Sequence, residues 1–253
     1  MPDSPSAARD SVAAPLISFD PARVARFLGG VIVLLVVASI AGQILKYRFH
    51  APYALGFVPK FYVDDENNIP TYFSSLQLLM AAALLKLIAL VKRRSGDRFA
   101  RHWHWQSLLF LGLSVDETAS LHETLSDPLH RLLHTGGAFY FAWVIPGLLA
   151  VLLVTLAFWR FWRHLPPPTR RMSALAAVLF VTGAIGFEMF NGRYSASHGQ
   201  ENFTYSLLST IEETLEMSSI TLFLYALLDY CRNHLPDITL RVANVAPSVD
   251  EII

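Results

Sequence analysis

Apolar residues in this 253-residue chain come in long runs, and the charged residues collect between the runs instead of being interleaved with them as on soluble helices. Six segments hold about 20 mainly apolar residues each, enough for a helix to cross the hydrocarbon core. They are 27–45, 71–91, 105–125, 139–161, 173–190 and 203–228. The pattern predicts an all-α polytopic membrane helix bundle over residues 27–230, flanked by a flexible tail at 1–26 and a second tail at 231–253. The third segment is exceptional. Only residues 105–115 are continuously apolar, too short a run to span, so either the acidic stretch that follows completes the crossing or the segment re-enters as a half-helix.

Loop charge decides between those two. Lysine and arginine collect on the cytoplasmic side of short loops. Lys92, Arg93, Arg94, Arg98 and Arg101 follow the second segment, and Arg160, Arg163, Arg170 and Arg171 follow the fourth. Both clusters lie on one side only if the third segment crosses. Both termini then fall in the cytoplasm, which predicts a multi-pass protein of the cell inner (plasma) membrane. The first run also admits a reading as a cleaved signal, since Arg23 and Arg26 precede it and Ser39-Ile40-Ala41 has a small-x-small form; its length favours a span.

Composition narrows the function classes. With 53% hydrophobic residues, 16% charged residues and a formal net charge of zero, the chain offers the bilayer as a partner and no nucleic-acid surface. A single cysteine, Cys231, excludes an intramolecular disulfide framework and a cysteine-based zinc site. No internal repeat is found, which argues against an inverted-repeat transporter.

The informative residues are acids inside the apolar segments, where each ionised group costs several kcal/mol. Asp116, Glu117, His122 and Glu123 lie in the third segment, Glu188 in the fifth, and Glu212, Glu213 and Glu216 in the sixth. On a continuous third helix, Asp116, Ser120, Glu123 and Asp127 make one stripe. Glu216 sits four residues from Glu212 and three from Glu213, which groups those acids on one side with Ser209. A rise of about 1.5 Å per residue brings all three segments' carboxylates to overlapping depths. No lysine or arginine lies deep enough to neutralise them; Arg193 is within reach of Glu188 alone. Divalent metal, protons or transported cations must supply the compensating charge.

The plainer readings stand beside these. Protonated, hydrogen-bonded acid pairs can lock helices together, and His122 can be a solvated interfacial side chain. Asp127 before Pro128 reads as the cap of a short interfacial helix over 129–134, with Asp127, His130 and His134 as a weaker metal-ligand spacing. The acidic loop Asp64-Asp65-Glu66 is equally a solvated turn and an entrance that attracts cations.

Carboxylates with imidazole suit iron, manganese or zinc. Asp116, Glu117, His122, Glu123, Glu188, Glu212, Glu213 and Glu216 are therefore the candidate metal ligands, and His122 and Glu123 the candidate catalytic groups. A metal in such a site activates water against a lipid ester or amide, or handles oxygen at a di-metal centre. The same carboxylates would serve a proton- or cation-coupled transporter, so the expected ligand is a lipid, another small molecule or a cation. The pairing of Asp116-Glu117-x-x-x-x-His122-Glu123 with a late Glu212-Glu213-x-x-Glu216 resembles uncharacterised bacterial multi-pass membrane proteins with the same two helices. That resemblance implies the membrane bundle and brings no activity with it.

Overall fold

A computed structural model describes residues 20–65 and 67–235, and all of its regular elements there are helices. Helix α1 is Pro21–Arg48, α2 is Phe57–Phe61, α3 is Ile69–Arg94, α4 is Ala100–Ala119 and α5 is Leu121–Leu133. Helix α6 is Val144–His164 and α7 is Pro167–Val181. A π-helical turn, Thr182–Phe187, joins α7 to α8, Glu188–His198, and α9 is Phe203–His234. The expected tails lie mostly outside the described residues; of their positions, 21–26 belong to α1 and 231–234 to α9. Side chains define three of the starts. Asp20 accepts from the Ala22 N–H, Asn68 from Thr71 and Asn202 from Tyr205, so each satisfies a donor that the first helical turn leaves open.

Among the described residues, four helical stretches are long and apolar enough to cross a membrane: Pro21–Arg48, Ile69–Arg94, Val144–His164 and Pro167–His198. Helices α4 and α9, of 20 and 32 residues, are long enough but carry the acids.

Helix α9 is the axis of the bundle. It packs against α1, α3, α7 and the π turn, and α3 runs along α4. Leu78, Leu85 and Ile88 of α3 meet Trp103 of α4 and Leu224 and Leu227 of α9 in the main apolar cluster. Helices in lipid gain little from apolar contact alone, so hydrogen bonds and small residues hold such interfaces. Gln43 of α1 donates to Thr210 Oγ1 at 2.6 Å, Gln77 of α3 to Thr221 Oγ1 at 2.7 Å, and Ser107 of α4 to the Ala82 carbonyl at 2.8 Å. Helix α6 is the loosest member. It packs along its length only on α7 and the π turn, and reaches α4 through rings at one end, where Phe161 meets Trp103 and stacks on His102.

Three expectations change. The third segment is not one helix to residue 125: Ser120 takes a left-handed conformation (φ 49°, ψ 42°) and the chain restarts as α5. The Asp116–Asp127 stripe is therefore broken. Asp127 is not a cap, because α5 begins at Leu121 and contains Pro128. The fourth helix starts at Val144, after the left-handed Gly137, and not at residue 139.

Candidate functional site

A cavity of about 1220 Å³ runs between α4, α6, α7 and α9 and under the 62–65 loop. All eight candidate ligands named from the sequence line it: Asp116, Glu117, His122, Glu123, Glu188, Glu212, Glu213 and Glu216. Asp64, Asp65, Asp127 and His130 line it as well. Away from the acids the wall turns apolar, with Leu109 and Leu113 from α4, Val151 and Val154 from α6, and Ala177 from α7. One space therefore has a polar end and an apolar arm.

The break at Ser120 builds the polar end. The Asp116 carboxylate takes the His122 backbone N–H at 2.9 Å through one oxygen and faces the His122 ring Nδ1 at 3.0 Å through the other. A short acidic side chain that binds nearby backbone offers the chain an alternative to continuing its helix. The same two contacts fix the imidazole. With Nδ1–H donating to the carboxylate, Nε2 is left as the proton-accepting nitrogen.

Trp143, which the sequence reading passed over, joins this pair to the buried acids. Its ring stands edge-on to His122 with centroids 4.7 Å apart, and its indole N–H donates to Glu188 Oε1 at 2.8 Å. Glu188 in turn stands next to Glu212, which is buried and accepts from Asn191. Two ionised carboxylates offer only acceptors, so a hydrogen bond between them needs one shared proton. Glu188 takes its partner from Trp143, and Arg193, expected to reach it, is exposed.

Gly183 in the π turn makes the closeness of these helices possible. A Cβ there would lie 2.9 Å from Glu216 Cγ and 3.2 Å from the Glu212 carbonyl oxygen. π-helical turns occur frequently at functional sites, and this one aims Glu188 at α9.

The acidic loop folds over the polar end. Burial raises the Asp64 carboxyl to about 6; the nearby Ser209 hydroxyl works the other way, while the negative charges of Asp65, Glu188 and Glu123 add to the rise. Lys46 stands at the mouth, 3.4 Å from Glu201 and 4.8 Å from the Tyr62 ring centre. The Asp64 shift fixes a sign. The folded carboxyl binds its proton more tightly than the unfolded one, so its contribution to stability is present below 3.8 and is lost as pH rises to about 6. Asp64→Asn should raise the thermal midpoint at pH 7.5, by a free energy of at most about 3 kcal/mol, and leave it unchanged below pH 3.8. Equal shifts at both pH values in a detergent melt would contradict this.

The metal centre expected from ligand type finds no support in the arrangement. Among the described residues no three His, Cys, Asp or Glu side chains are grouped so as to hold a metal ion. The acids pair with hydrogen-bond donors or with one another instead. The weaker set also separates: His134 ends α5 in a left-handed conformation, and His130 Nδ1 lies 3.0 Å from Thr135 Oγ1.

The fold and site define a helical protein of membrane type with an acid-lined internal cavity. The chain belongs to the family described as a domain of unknown function (DUF8692), whose model matches residues 28–231 and so takes in every residue that lines the cavity. No curated protein and no solved structure matches this chain.

Proposed function

We propose that this protein is a membrane enzyme that hydrolyses an ester or amide of a lipid by acid–base catalysis in the cavity. The observation that carries the reading is the Asp116–His122 pair, seated at a helix break where the acidic end of the cavity meets its apolar arm. His122 Nε2 takes a proton from water as the water oxygen bonds to the acyl carbon. A proton shared between Glu188 and Glu212 passes to the leaving oxygen or nitrogen as the acyl bond breaks, and the proton on His122 then restores the acid pair. Asp116 orients the ring and stabilises its charged form.

The topology proposed with it is six crossings in the plasma membrane, with both termini cytoplasmic. Helix α4 has the length to cross at about 1.5 Å per residue, and its acids face the cavity and not lipid. The arginine and lysine clusters after α3 and within and after α6 then lie on one side. Iron, manganese or zinc at the acids is a separate proposal resting on ligand type alone, and no step above runs through a metal.

Purified protein incubated with a membrane-lipid extract should convert one lipid class to its deacylated form, read by mass spectrometry. An unchanged extract would sink the enzymatic reading. Proton flux in vesicles without lipid turnover would promote transport. A stoichiometric metal ion that Glu188→Gln removes would assign the work of the shared proton to that ion.

A further inference from the structure

The cavity is unbalanced in charge as well as amphipathic. Acids from the 62–65 loop, α4, α5, α8 and α9 face it, whereas among the described residues Lys46 is the single lysine or arginine in its wall. Lys46 sits at the mouth and is already engaged by Glu201. His122 is engaged by Asp116. Glu216, Glu123 and Asp64 line the same cavity as His122, and Glu123 and Glu216 are near enough to act on its ring. A carboxylate- or phosphate-headed ligand would be repelled by that wall. A ligand bringing its own positive charge would be held by it.

The arm sets the rest of the ligand. It follows α6 from Trp143 at the acids to Phe158 and Trp162 at the far end, about 22–28 Å at the helical rise. That is longer than one leaflet's half of the roughly 30 Å hydrocarbon core. Phe161, Trp103 and His102 close the far end. Between the ends α6 does not pack closely along α4, and the cavity lies between the two helices.

We propose that the ligand of this cavity is an amphiphile with an amine or ammonium head and one long alkyl or isoprenoid tail, the head among Glu216, Glu123 and Asp64 and the tail along α6. This rests on the reading of the cavity as a lipid site and deepens it by naming the head group. The head then lies beside His122, where an ester or amide next to it would meet the base.

The test uses three probes with the same brominated eighteen-carbon chain, namely the amine, the alcohol and the carboxylic acid, added to the full-length protein in neutral maltoside micelles at pH 7. Bromine quenches the tryptophans along the arm. The amine should reach half-quenching at a tenth or less of the alcohol's mole fraction, and the acid should be weakest. Glu123→Gln with Glu216→Gln should cost the amine its advantage and leave alcohol binding unchanged, which also shows that the variant is folded. Val154→Trp should block all three. An alcohol or acid that binds as well as the amine overturns the head-group assignment, and no quenching by any probe overturns the tail arm. Hydrolysis is read separately, so amine-selective binding without turnover upholds this inference and removes the enzymatic reading alone.

Discussion

His122→Gln should lower lipid turnover by roughly 10²–10⁴-fold, the range over which a positioned general base contributes, with little change in thermal stability. Glutamine keeps a donor for Asp116 but has no nitrogen that accepts a proton at neutral pH. Asp116→Asn should also lose turnover for a different reason. Its carboxylate holds both the ring and the His122 backbone N–H, so the amide variant leaves the base poorly oriented and loosens the start of α5. The measurement is the initial rate of acyl release by each purified variant beside its melting curve. A His122→Gln protein that melts normally and keeps its rate would remove His122 from the chemistry.

The second large effect is steric. Gly183→Val should destabilise the protein by about 1–3 kcal/mol, as overpacking of a tight interface does, and should displace Glu216 and Glu188. The nearest atoms are Glu216 Cγ and a backbone carbonyl of α9, and the carbonyl cannot swing aside as a side-chain tip would. Gly186, one turn later, provides the control. A Cβ there meets nothing closer than 3.9 Å, so Gly186→Ala should melt like the parent. Equal melting temperatures for the two variants would show that the π turn does not set the spacing of the acid-bearing helices.

The sequence announces the cavity residues better than it announces the backbone that carries them. Acids are so costly in lipid that their presence in apolar segments marks them, and all eight singled out line one cavity. Long apolar runs likewise locate α3 to within three residues at each end, while α1 begins six residues before its run and α9 ends six residues after its own. The break at Ser120 carries no glycine or proline, and arises from the side-chain contacts of Asp116, which periodicity does not register. Gly183 is a point of close approach, which only the packed partner reveals. Trp143 carries no signal in the sequence; its indole N–H acquires meaning only once α8 brings Glu188 to it. Ligand type pointed to a metal, yet which acids pair with each other is a property of the three-dimensional arrangement.

Those pairings make the account testable at a single atom. The most direct measurement is lipid hydrolysis by the purified protein in water enriched in oxygen-18. Acid–base attack by water held at His122 predicts one solvent oxygen in each released carboxylic acid, with label and release both lost in His122→Gln. Released acid without solvent oxygen, or labelled acid produced equally by His122→Gln, would contradict the account.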